Sequence, residues 1–216
     1  MTSDNEIQKC LEVLRAGGTI LYPTDTIWGI GCDATNEKAV ENVLSIKTAA
    51  PEGSSPNSPL EVGGNRVGKS FVVLVSDDGM LNRFVKDVPE LAWELMDASK
   101  NEEDDEPTKP LTIIYDNARG LAKNVLAEDG SIGVRLVTRE ANEFCHRLIH
   151  KFGKPVVSTS ANISGMPSPQ DFSEITEEIL KATDHVVQPQ TPHSQLRTPS
   201  SIIKLKANGE FKIVRE

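Results

Sequence analysis

A chain of 216 residues is long enough to bury one good core and does not demand a second domain. Its 32 acidic residues outnumber 23 basic ones, for a net charge of −9, which excludes the broad positive field of a protein built mainly to grip nucleic acid, though not a local basic patch. Three cysteines far apart, Cys10, Cys32 and Cys145, make no C-x-x-C pair and read as reduced thiols. No apolar run approaches the ~20 residues of a membrane span and the N-terminus is too polar for a signal peptide, so a soluble, cytoplasmic protein without membrane contact is expected.

In chain order, EIQKCLEVLRAG places Ile7, Cys10, Leu11 and Leu14 at helical spacing and stops at Gly17-Gly18. LYPTDTIWGIG follows, residues 21–31: apolar residues on both sides mark a buried element, with a polar Pro-Thr-Asp-Thr insert in its middle. NEKAVENVLSIK reads as a second helix capped by Asn36. Residues 48–65 are rich in Pro, Gly and Ser without periodicity and read as a long loop, expected to be mobile. FVVLV is a buried-type strand, and a helix is expected around VPELAWELMDAS. The acidic run 102–106 reads as a solvated loop. PLTIIYD and SIGVRLV read as strands, EANEFCHRLIHKFG as a helix, PVVSTSAN as a strand entering a polar turn, and SSIIKLK and EFKIVRE as closing strands. The alternation predicts an α/β fold, a single-domain, twisted, open mixed sheet with flanking helices.

Residues 63–70, GGNRVGKS, fit the P-loop pattern G-x-x-x-x-G-K-[ST] at every position. The context is wrong: a P-loop needs a strand before it and a helix after it, so that unpaired helix N–H groups meet phosphate, and here a strand follows. Arg66 and Lys69 remain available to phosphate as plain cations. His146 and His150, one helical turn apart, lack a third ligand nearby in sequence, and no metal held by protein ligands alone is expected. His185 and His193 fall in expected loops.

A second polar insert, STSANISG at 158–165, follows the apolar PVV. Hydroxyl and amide groups at the carboxyl end of a buried strand lie where open α/β sheets bind ligands, and PTDT has the same placement. Ser158, Ser160 and Asn162 alternate as on one strand face. Two such inserts suit a polar, multifunctional ligand better than two turns stabilised by their own side chains.

LYPTDTIWGIGCDATNEKAVENVLSIK, KPLTIIY, SIGVRLV, GKPVVSTSANISGMPSP and PSSIIKL together resemble the YrdC/Sua5 family, in particular its short bacterial form, in the family's order and over most of the chain. The resemblance implies an enzyme joining L-threonine, bicarbonate or CO2, and ATP with Mg2+ into L-threonylcarbamoyladenylate, with release of pyrophosphate. That product feeds t6A formation at adenosine 37 of tRNA, which implies t6A-transferase proteins, and possibly tRNA itself, as partners. In the family a K-x-R element meets the phosphates. Here Lys47 holds the lysine position but Thr48-Ala49-Ala50-Pro51 follows, and the matching arginine appears only at Arg66, in RVGKS with Lys69 and Ser70. An insertion between lysine and arginine accounts for the departure, since loop closure grows only slowly in cost with length.

On this resemblance Lys47, Arg66 and Ser160 are the catalytic candidates, and Thr24, Thr26, Lys69, Ser70, Thr112, Arg135, Ser158 and Asn162 bind substrate or nucleotide. Thr24, Thr26, Thr112 and Arg135 are assigned to the threonyl and carboxylate end, Arg135 because its guanidinium can give a carboxylate two parallel hydrogen bonds. Asp25 is expected either to cap its turn or to orient the ligand's amine or a water. Competing readings are a non-catalytic double-stranded RNA or nucleotide-binding module, a P-loop NTPase, and a carbamoyl-transfer relative of the kind found in hydrogenase maturation proteins.

Overall fold

The computed structural model describes residues 3–48, 71–99, 109–188, 200–206 and 209–215. Helix α1, Ser3–Arg15, turns Glu6, Ile7, Cys10, Leu11 and Leu14 inward and ends at Gly17, whose φ of 80° lies in the left-handed region that glycine enters without strain. Strands β1, Ile20–Pro23, and β2, Trp28–Gly31, pair antiparallel with Tyr22 opposite Gly29. The apolar stretch read as one buried element is therefore a hairpin, and the PTDT insert is its turn.

Helix α2, Glu37–Thr48, starts where the Asn36 side chain accepts from the Lys38 and Ala39 amides at 3.1 and 3.2 Å, as its capping role predicts. Thr48 closes this helix, so it belongs to regular structure and not to the loop expected over 48–65; the rest of that loop lies outside the described residues, as do the acidic run and His193.

Strand β3, Val72–Val75, is followed by α3, Asp78–Phe84, capped by Asp77 accepting from the Met80 amide at 2.8 Å, and by α4, Glu90–Ala98. The strand directly after residues 63–70 is incompatible with a P-loop. Strands β4, Leu111–Tyr115, and β5, Ile132–Leu136, precede α5, Glu143–Phe152, which is capped by Asn142 and ended by Gly153 at φ 75°. Then come β6, Val156–Ser160, α6, Glu177–Ala182, β7, His185–Val186, β8, Ser201–Leu205, and β9, Phe211–Arg215. His185 is thus in a strand and not a loop, its ring 3.2 Å from the Glu6 carboxylate of α1.

Among the described residues nine strands form one mixed sheet in the order β7-β1-β2-β6-β3-β5-β4-β8-β9. β1–β7, β3–β5 and β4–β8 are parallel; the other neighbours are antiparallel. α1 packs on α5, and α5 on β3. Tyr22, Leu21, Ile30, Leu74, Ile113 and Ile132, all fully buried, hold the centre of the core. All three cysteines are free and buried, and burial pushes the Cys10 thiol up to about 12. Among the described residues no helix is long and apolar enough to cross a membrane.

Candidate active site

The antiparallel pairs decide which strand ends meet. Gly29 of β2 lies opposite Ser160 of β6, and Val72 of β3 opposite Ser158, so the carboxyl end of β6 is flanked by the amino ends of β2 and β3. Ile202 of β8 faces Arg215 at the carboxyl end of β9. A cavity of about 240 Å3 opens along this edge. Thr26, Arg135, Ser158, Thr159 and Ser160 bring polar groups to it, joined by Ser168 and Gln170 from the turn after β6 and by Ser200 and Arg215 from the C-terminal hairpin. Phe71 and Trp28 supply apolar wall, with Trp28 packed on Phe172 at 4.9 Å between ring centroids and a 56° tilt.

Gly29 keeps this edge open. A Cβ there would lie 3.2 Å from Ser158 Oγ and 3.3 Å from both the Thr159 carbonyl and Thr24 Cγ2, tight contacts that a side chain would enter only by displacing them.

Of the residues singled out in the sequence, Thr26, Arg135, Ser158 and Ser160 line the cavity. Four other expected residues stand one layer behind it. Thr24 bonds within the hairpin turn, its hydroxyl donating to the Ile27 carbonyl at 2.7 Å and accepting from the Thr26 amide at 3.1 Å. Thr112 is buried with its Oγ1 2.9 Å from Ser200 Oγ. Asn162 does not continue the strand face of Ser158 and Ser160, because β6 ends at Ser160 and the chain turns. Lys47, only 4% exposed, donates from Nζ to the Ser160 carbonyl at 2.6 Å and to Asn162 Oδ1 at 3.0 Å. Arg66, Lys69 and Ser70 lie outside the described residues.

Asp25 neither caps its turn nor stands open to a ligand. It meets the Arg135 guanidinium with Nη2 to Oδ1 at 2.8 Å, an ion-pair contact whose angle falls short of a hydrogen bond. Arg135 Nε is buried without a hydrogen-bond partner among the described residues. Sequence reasoning passed over Ser200 and Arg215. Arg215 donates from Nε and Nη2 to the Ser200 carbonyl at 3.0 and 2.6 Å, and burial together with the charge of Arg135 presses its guanidinium below the ordinary value. A guanidinium stays charged regardless, so among the described residues the cavity carries two cationic side chains. No period of two in the last strand could have found Arg215, because a register shift sets it opposite Ile202 while Ile213 lies opposite Ile203. Among the described residues no group of three or more His, Cys, Asp or Glu could hold a metal ion. His146 and His150 instead stack at 5.9 Å with rings 7° from parallel.

A cavity that combines hydroxyls, two guanidiniums and an aromatic wall suits a polar ligand with anionic groups. The family model described as telomere recombination, Sua5/YciO/YrdC, matches residues 12–54 and 64–216, and the chain belongs to that family. The break in the match falls within the stretch where an insertion was expected. A protein of Pseudoalteromonas translucida named threonylcarbamoyl-AMP synthase is 29% identical over 97% of this chain and 98% of its own. E. coli YciO matches 100% of this chain and 90% of its own at 22% identity and a TM-score of 0.72. P. abyssi Sua5, in a crystal structure complexed with L-threonine, matches 92% of this chain at 22% identity and a TM-score of 0.69, and the chain spans about half of that protein's length.

Proposed function

We propose that the chain is an L-threonylcarbamoyladenylate synthase, joining L-threonine, bicarbonate or CO2, and ATP with release of pyrophosphate, in the cytoplasm, for t6A formation at position 37 of tRNA. The observation that carries this reading is the convergence of Thr26, Ser158, Ser160, Arg135 and Arg215 on one cavity, in a chain that aligns over nearly its whole length with proteins named threonylcarbamoyl-AMP synthase.

The chemistry needs no covalent enzyme intermediate. The neutral amine of threonine attacks CO2, forming the carbamate and releasing a proton. A carbamate oxygen then attacks the α-phosphorus as the bond to pyrophosphate breaks in line. Both steps are served by positioning and by offsetting negative charge. Arg135, whose Nε has no hydrogen-bond partner among the described residues, suits the threonine carboxylate, and Arg215 suits the phosphates. Arg66 and Lys69 are proposed as further phosphate cations. No carboxylate lines the cavity among the described residues, so a Mg2+ ion would ride in on the phosphates it neutralises, without a cage of protein ligands. Delivery onward would be to the t6A-transferase proteins that act on tRNA.

The test is product identification: incubation of the purified chain with ATP, L-threonine and bicarbonate, followed by mass spectrometry for L-threonylcarbamoyladenylate. Its formation, dependent on all three substrates, is the expected result; ATP left intact would overturn the reading.

A further inference from the structure

We infer that the outer edge of β9 is a docking site for an extended strand of a partner protein, one in which apolar and acidic residues alternate. Among the described residues four large apolar side chains are exposed, and three of them, Phe211, Ile213 and Val214, at 59%, 52% and 53%, sit in this one strand. β9 also ends the sheet: β8 pairs with one side of it, and among the described residues no strand pairs with the other. A free edge presents a row of backbone N–H and C=O groups that one more strand can satisfy.

The register of β8 and β9 sorts the two faces. Phe211 lies opposite Leu205 and Ile213 opposite Ile203, while Lys212 lies opposite Lys204 and Arg215 opposite Ile202, the shift leaving Val214 as the extra residue of a bulge. Side chains alternate along a strand, so Phe211 and Ile213 share one face with Ile203 and Leu205. Lys212 shares the other face with Arg215, the face on which Arg215 meets the cavity. An added strand must therefore bring apolar residues to the first face and a partner for Lys212 to the second. It would run beside Arg215, which puts the partner protein at the cavity's rim.

Charge decides what that partner carries. Lys204 is taken by Asp129 at 2.8 Å and Asp116 at 3.1 Å, and Lys206 by Glu210 at 2.7 Å. Lys212 is exposed, stands directly opposite Lys204, and has no ion pair among the described residues. Like charges facing each other across a strand pair repel, and an acidic side chain on the far side of Lys212 relieves that repulsion. The same lysine turns away a second copy of this chain: antiparallel pairing of two β9 strands with Phe211 opposite Ile213 would set Lys212 against Lys212. An apolar-acidic-apolar strand meets neither obstacle, and the lysine thus acts for one partner and against another.

Heteronuclear NMR titration of the full chain tests this with two hairpin peptides, each a pair of strands joined by Asn-Gly, one alternating valine with glutamate and the other valine with lysine. The glutamate peptide should shift the amide resonances of β8 and β9 and bind about fivefold tighter than the lysine peptide, the difference between an opposite and a like cross-strand charge pair. In Lys212→Glu the order of the two peptides should reverse. Ile213→Lys, at an exposed position, should weaken the glutamate peptide by about threefold or more by removing its apolar neighbour. Should Lys212→Glu fail to fold, Lys212→Gln takes its place and should bind both peptides alike. Equal binding of the two peptides by the wild type, an order unchanged in the Lys212 variant, shifts confined to other strands, or binding of neither peptide would each overturn the proposal. A wild-type dimer in sedimentation that Ile213→Lys dissociates would assign the edge to a second copy and overturn it as well.

Discussion

Asp25 and Arg135 meet at 2.8 Å with side chains 3% and 5% exposed, the carboxylate coming from the β1–β2 turn and the guanidinium from the middle of the sheet. This pair fixes the hairpin turn over the cavity and aims Arg135 at the same time. Breaking a buried pair leaves an uncompensated charge, which costs about 3 kcal/mol or more. Asp25→Asn should destabilise the fold by that amount in urea titration. The double variant Asp25→Asn/Arg135→Met should recover at least about 1 kcal/mol relative to the sum of the single changes. Strict additivity would show that the two charges do not depend on each other.

Ser160→Ala and Asn162→Ala should each lower adenylate formation by about 10- to 1,000-fold, the range for losing a positioned polar group, with thermal unfolding little changed. Ser158→Ala, a change at a second hydroxyl on the cavity wall, should fall within the same range. Full activity in all three would remove the β6 segment from the site.

Replacing threonine by 2-aminobutyrate removes the substrate hydroxyl and leaves its buried partners unpaired, at a cost of about 1 to 3 kcal/mol. Competition between the two amino acids should favour threonine in kcat/KM by about 5- to 150-fold. Equal turnover would mean that the cavity does not read that hydroxyl.

Gly31 is held by packing. A Cβ there would stand 2.6 Å from both Tyr22 Cε1 and the Val157 carbonyl, inside van der Waals contact on each side. Gly31→Ala should destabilise by about 1 to 3 kcal/mol as overpacked cores do, measured by chemical denaturation. Because Tyr22 also donates to the Val157 carbonyl at 3.2 Å, the β1–β2–β6 seam would shift with it. Unchanged stability would contradict the packing described.

Burial, with help from the charges of His150 and Arg139, holds the His146 imidazole below its ordinary 6.5, against the opposite pull of Glu140 and Asp77. Its unfolded form therefore binds a proton first as pH falls. The folded state should be at full strength above 6.5 and lose stability as pH drops from 6.5 through the lowered value. His146→Gln should flatten that part of the profile of unfolding free energy against pH; an unchanged slope would assign it to other groups.

The cap Asn36 and the stop at Gly17 were legible in the sequence and act as their chemistry predicts, whereas Asn142 and Gly153, read as part of a helix, turn out to be its cap and its terminating glycine. Four of the residues that line the cavity, Thr26, Arg135, Ser158 and Ser160, could be named from two polar inserts and a family pattern. Short elements were not legible, because α6 and β7 offer too few residues for any period to show. The layer behind the cavity was hidden for another reason. Whether Lys47 or Thr112 touches ligand or holds up its neighbours depends on strand pairing far along the chain, such as Gly29 opposite Ser160, that local pattern does not encode. Arg215 reaches the cavity only because β8 and β9 fold back beside β4.

Pyrophosphate release from ATP, followed continuously with a coupled phosphate assay, tests the central claim most directly. Release that requires L-threonine and bicarbonate together, one pyrophosphate per adenylate formed, is the predicted result. Release indifferent to threonine, or phosphate in place of pyrophosphate, would contradict the account.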